Sequence, residues 1–163
     1  MAVDMFLKIA TVDGESTDSV HSGEIDLLSW SFAANQTGTS NTGGGSGAGR
    51  VSIQDLTITK KVDKSSPTLF ALCCKGSHVA TADLTVRKAG GDALEYLIVK
   101  MEHVLITGFQ TTGSDGQDTL VEQISLNFKK VGLVYTPQLD DGTGGPSVAG
   151  GWDIGANLAW EPA

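Results

Sequence analysis

Between positions 120 and 135 the chain reads LVEQISLNFKKVGLVY. Ile124, Leu126 and Phe128 fall on one parity, and Gln123, Ser125, Asn127 and Lys129 on the other. That period-two alternation predicts a strand with one buried face and one wet face. After Lys129 and Lys130 the phase slips, and Val131, Leu133 and Tyr135 carry the apolar parity onward. One extra residue at the lysine pair, a bulge, would let so long a strand bend. Polar residues held along one whole face suit a curved barrel wall. Pro137 has no N–H to give and ends the pairing.

The same patterning organises the rest of the chain. Residues 5–10 read as a short first strand, followed by an acidic turn at 12–15. In HSGEIDLLSWSF, Leu28, Trp30 and Phe32 share one parity, which predicts rings turned into the core and Ser29 and Ser31 turned away. Residues 51–62 alternate as a strand whose phase slips near Gln54 and Asp55. SSPTLFALCCKG, at 65–76, predicts the one helix. Ser66 can cap it, Pro67 fits its first helical position, Lys75 complements its C-terminal dipole, and Gly76 can end it in a left-handed conformation. Leu69, Leu72 and Cys73 form one stripe, and Phe70 and Cys74 a second. Apolar side chains on both flanks predict cover on two sides, either another subunit or the helix's own barrel end. Residues 77–88 predict a strand. Residues 93–109 fit a helical stripe and a β-rich composition equally well. Trp152, Ile154 and Leu158 in the tail, 136–163, read as a closing edge strand.

Composition narrows the classes. A chain of 163 residues has room for one domain, 1–163, and one core. The formal net charge of −8 disfavours nucleic acid and anionic membrane as partners. No apolar run is long enough to span a bilayer as a helix, and the N-terminal residues do not read as a signal peptide, which predicts synthesis and initial residence in the cytoplasm. Cys73 and Cys74 are adjacent, too close for ordinary disulfide geometry, and read as small apolar residues of the helix.

Candidate chemistry changes little. His21, His78 and His103 are scattered, no nucleophile elbow is present, and Asp115 and Asp118 lack calcium-loop register. The stretch QTGTSNTGGGSGAGR (36–50) formally contains a dinucleotide fingerprint at Gly43, Gly45 and Ala48. That fingerprint needs a following helix to receive a pyrophosphate, and RVSIQDLTITK alternates as a strand instead. The expectation is a protein without catalytic residues, metal or cofactor. The glycine-rich loop, lacking apolar side chains to bury, is expected to order against a partner.

The segments GESTDSVHSGEIDLLSWSF (14–32), KKVDKSSPTL (60–69), EYLIVKMEHVLITGF (95–109) and VEQISLNFKKVGLVY (121–135), with GWD at 151–153, resemble the hemolysin co-regulated protein family. They span more than half of the chain in the family's order. The resemblance implies a mainly β fold, a closed β-barrel of two packed antiparallel sheets flanked by one short helix, akin to contractile-phage tail-tube proteins. It also implies that 93–109 is strand. It further implies homohexameric rings that stack into the inner tube of the type VI secretion system, carry or protect effector proteins in their lumen, and meet sheath and tip proteins. The protein would then be secreted without a cleaved signal peptide, and no toxin domain is expected after Ala163. Carried onto this chain, Ser29 and Ser31 would face the lumen. The loop at 37–49, with Gly43, Gly44, Gly45, Ser46 and Gly47, would contact the next ring. The helix, through Leu69, Phe70, Cys73 and Cys74, would lie near a subunit boundary. The alternative is a monomeric β-barrel module whose wet face holds a ligand.

Overall fold

The computed structural model of the chain describes residues 2–38, 49–90 and 93–163. Among these residues eleven strands and one helix follow in order: β1 (Val3–Ile9), β2 (Ile25–Asp26), β3 (Ser29–Ser31), β4 (Ala34–Asn35), β5 (Ser52–Ile53), β6 (Leu56–Lys61), α1 (Ser65–Lys75), β7 (His78–Lys88), β8 (Glu95–Thr112), β9 (Val121–Tyr135), β10 (Val148–Asp153) and β11 (Leu158–Ala159). Residues 95–112 form a single long strand, so the ambiguity at 93–109 resolves towards β. Its apolar residues are shared between two antiparallel neighbours, β7 and β9.

All ladders are antiparallel, and nine strands form one branched sheet. The branch lies at β9. One edge of β9 pairs with β8 along its length, while the other is split between β6, at residues 121–126, and β10, at residues 130–135. β4 and β5 form a separate two-stranded ribbon at the base of the glycine-rich loop.

The closed barrel of two packed sheets is not what forms, because no ladder joins β1 to β6. Residues 25–31 explain why. Ile25 and Asp26 pair with β1, then Leu27 N–H donates to Met5 O on β1 while Leu28 N–H donates to Thr59 O on β6. From Ser29 onward the chain pairs only with β6. Successive residues thus serve the two neighbours in turn, and the sheet ends at β2 and β3. The crossing also reverses parity. Leu27 is buried and Leu28 exposed, contrary to the expected Leu28–Trp30–Phe32 inner row, of which only Trp30 and Phe32 pack on the core.

The core is the set of side chains that the alternation predicts. Leu7, Ile25, Leu56, Ile58, Leu69, Leu84, Val99, Ile124 and Leu126 lose all contact with solvent. Each such burial contributes roughly 1.5–3 kcal/mol relative to exposure. The phase slip at Lys129 and Lys130 is real, since Phe128 and Val131 are both buried, but no residue is inserted there. The slip is shared. Val79 and Ala82 on β7, and Val104 and Met101 on β8, change parity at the same level, where the pairs through Ala80, His103 and Lys129 lapse. Three strands kink together, so register is kept. The bulge in this ladder sits at Thr107 instead, between Ile106 and Gly108. Asp55 holds it, accepting from Thr107 Oγ1 at 2.6 Å and from Asn127 Nδ2 at 2.8 Å. Asp55 also lies in the break between β5 and β6, which accounts for the slip in 51–62.

A buried charge cluster fixes the helix to the sheet. Lys60 and Glu122 face each other across β6 and β9, and both are buried. Lys60 Nζ lies 3.0 Å from Glu122 Oε2 and donates to Asp63 Oδ1 at 2.8 Å, Ser66 Oγ at 3.1 Å and Lys61 O at 2.9 Å. Ser66 Oγ donates to Glu122 Oε2 at 2.9 Å. The Ser66 hydroxyl is therefore not the helix cap. Asp63 takes part of that role, accepting from Ser65 N at 2.9 Å and from the Ser65 hydroxyl. At the other end Gly76 has φ 64°, and its N–H donates to Leu72 O and Cys73 O, as expected of a left-handed terminator.

Two further clusters secure the loop between β1 and β2. His21, buried, lies 2.9 Å from Glu24 Oε2 and 2.8 Å from Glu95 Oε1, and its ring stacks on Phe6 at 4.3 Å. Asp18 receives both guanidinium arms of Arg87, and Arg87 also donates to Asp4 at 3.1 Å. The Arg87 hydrogen bond, then the Val20 N–H, hold the Asp18 carboxyl well below the usual carboxylate range. A folded-state pKa depressed in this way contributes stability above the unfolded value, near 3.9, and loses it as pH falls further. Thermal midpoints measured from pH 6 to 3 should therefore drop most steeply below about pH 4. Asp18→Asn should lower the neutral-pH midpoint and flatten that fall; an unchanged profile would show that the pair contributes nothing.

Candidate assembly surfaces

Alternation along β3, β6, β9 and β8 turns one parity into the core and leaves the other outside. The registers align the outer parity into rows. Ser31 stands opposite Thr57, Thr57 opposite Ser125, and Ser125 opposite Gly108. One step along, Ser29 stands opposite Thr59, Thr59 opposite Gln123, and Gln123 opposite Gln110. Gly108 suits the row beside its bulge, since a Cβ there would lie 3.0 Å from Ser125 Oγ.

The face is thus a small, uncharged, hydrogen-bonding platform four strands wide. Asp55 bounds one end with both oxygens engaged, and Lys61 bounds the other. Between them no row residue carries a charge, in a chain whose formal net charge is −8. A shallow depression bounded by Thr59, Gln110, Thr112, Gln117 and Gln123, with Val121 and Glu122 also in its lining, lies on the same face. Such a surface can donate and accept hydrogen bonds.

Ser29 and Ser31 are placed as expected, exposed on either side of half-buried Trp30. Thr57, Thr59, Gln110, Gln123 and Ser125 complete their surface and were not singled out from the sequence. Gln123 and Ser125 did lie on the wet parity of 120–135, but their alignment with β3 depends on pairings formed far apart in the chain.

The helix separates its two stripes. Leu69 is fully buried in the chain's own core, with Leu72 and Cys73 packed against it. Leu69 is therefore unavailable to a subunit boundary, contrary to expectation. Phe70 is 55% exposed, its ring edge-on to Phe109 at 5.4 Å, and Cys74 is exposed. Of the remaining helix candidates, Phe70 and Cys74 are exposed and Cys73 is half-buried. Gly43, Gly44, Gly45, Ser46 and Gly47 lie outside the described residues. The loop's base does not, and there Arg50 Nη2 donates to Ile154 O at 3.1 Å.

Comparison with known proteins places these surfaces in context. A family model described as type VI secretion system effector, Hcp, matches residues 6–135. Protein hcp1 of Pseudomonas aeruginosa is 50% identical over 161 residues, covering 97% of this chain and 99% of that protein. The crystal structure of Hcp1 from Salmonella typhimurium is similar with a TM-score of 0.83 and 35% identity, over 98% of this chain and 100% of that one. A solved structure of a type six secretion system protein gives a TM-score of 0.92 at 30% identity, over the same shares.

Proposed function

The chain belongs to the Hcp family of the type VI secretion system, and from that premise we propose that it is a structural subunit of the secretion tube. In this reading homohexameric rings stack, and effector proteins travel in their lumen. The observation that carries it is the uncharged platform of Ser29, Ser31, Thr57, Thr59, Gln123 and Ser125. A channel wall must let varied cargo lie against it and leave. Charged walls would trap cargo of opposite sign and repel the rest. Short hydroxyls and amides hold cargo through individually modest hydrogen bonds, each contributing about 0.5–1.5 kcal/mol net.

Phe70 and Cys74 are assigned to the boundary between subunits in a ring, and the loop at 37–49 to contact between rings. Sheath and tip proteins are the remaining partners. The Hcp family consists of secretion proteins and is not an enzyme family, and no catalytic role is assigned to this chain.

Negative-stain images of purified protein should show rings, with sedimentation far above that of one chain. Material that stays monomeric at high concentration overturns the reading. The wall assignment has its own test. Ser31→Leu should leave ring size unchanged while reducing retention of a co-expressed effector at least about ten-fold, the loss of one or two hydrogen bonds plus a steric term. Collapse of the rings would instead place Ser31 in an interface.

A further inference from the structure

We propose that His78 and His103 form a surface site for a divalent transition-metal ion of the nickel and copper class. His78 opens β7, and His103 lies within β8; both are exposed. His78 pairs with Leu105, which makes His103 its diagonal neighbour across the ladder. Diagonal neighbours ordinarily sit about 7–8 Å apart. Here the ring centroids are 4.1 Å apart and the planes inclined by only 25°.

The backbone explains the approach. His103 has φ 55°, a left-handed conformation that non-glycine residues rarely adopt within a strand. It sits where the β7–β8 and β8–β9 ladders lapse together. The shared kink thus turns one imidazole onto the other, and a strained residue of this kind directs attention to what its side chain does. His103 has no apolar burial to account for that placement.

Imidazole nitrogen is a good ligand for Ni²⁺, Cu²⁺ and Zn²⁺, and Cu²⁺ heads the affinity order. Because both side chains are exposed, admitting an ion between them disturbs only their mutual stacking. The acidic chain, at a formal −8, raises the local concentration of cations. Among the described residues no third His, Cys, Asp or Glu completes a cluster, so water fills the remaining positions. The bound ion would clip β7 to β8 at the level where their hydrogen bonds are interrupted.

Calorimetric titration of tag-free protein with Ni²⁺ tests the site. The expected result is one ion per chain, with affinity reduced about ten-fold or more in both His78→Gln and His103→Asn, at least the loss an outer-shell substitution causes. Asn tolerates the left-handed backbone, so His103→Asn removes the ligand and keeps the kink. Ni²⁺ should also raise the wild-type thermal midpoint and leave both variants unmoved. No saturable binding by wild type, binding that survives both substitutions, or binding lost only on replacing Cys73 and Cys74 with Ser would each overturn the proposal.

Discussion

Lys60→Met is expected to lower the unfolding free energy by about 3–5 kcal/mol, the usual cost of stranding a buried charge without its partner. The ammonium is fully buried and engages Glu122, Asp63, Ser66 and the Lys61 carbonyl at once. Met keeps the stem's packing, so the loss isolates the charge. Glu122, itself buried, would retain the Ser66 hydroxyl as its one side-chain partner among the described residues. The double variant Lys60→Met/Glu122→Leu should regain much of the loss, because replacing both members of a buried pair with apolar residues is often neutral. Urea denaturation of both variants measures this. If the single variant is as stable as wild type, or the double variant no better than the single, the pair is not the device that joins β6, β9 and α1.

Gly14→Ala should cost about 3 kcal/mol, at the upper end for overpacking. A Cβ at position 14 would collide with Glu24 O and lie 2.6 Å from its carbonyl carbon and 2.8 Å from Ile25 Cα. All three are backbone atoms, so no side-chain rotation relieves the clash. Ile25 is fully buried and pairs with Leu7, so displacement would propagate into the core. It would also lift Glu24, whose carbonyl accepts from Ser16 N–H at 2.9 Å and whose carboxylate meets His21. Gly150→Ala is the matched control, since nothing lies within 4 Å of its added carbon. Equal thermal midpoints for the two variants would refute the assigned contact.

Much of this architecture was legible along the chain. The alternation of 120–135, the terminating Gly76 and the two helix stripes follow from local rules that need no partner strand. What failed to show was whatever depends on pairing. A phase slip in one strand looks like an inserted residue; only the neighbouring strands reveal that β7, β8 and β9 slip together at Ala80, His103 and Lys129. Ser66 matched a helix cap, but a buried ammonium and carboxylate compete for its hydroxyl and win. Closure into a barrel failed because residues 25–31 divide their hydrogen bonds between β1 and β6.

One missed signal was in plain view. Lys60 follows Leu56 and Ile58 on the apolar parity of β6, and Glu122 precedes Ile124 and Leu126 on that of β9. Opposite charges at inward positions of two strands point to a buried pair. The candidate lumen surface was half legible. The strand pattern put Ser29 and Ser31 outside, but their company of Thr57, Thr59, Gln110, Gln123 and Ser125 required the register.

Because the platform rows are neutral, the surplus negative charge of this acidic chain, formally −8, lies off them. Copies that come together would therefore do so against their own mutual repulsion, and ionic strength becomes a control on self-association: dilute buffer favours dispersed chains, while salt near the physiological level shortens the reach of that repulsion to about 8 Å.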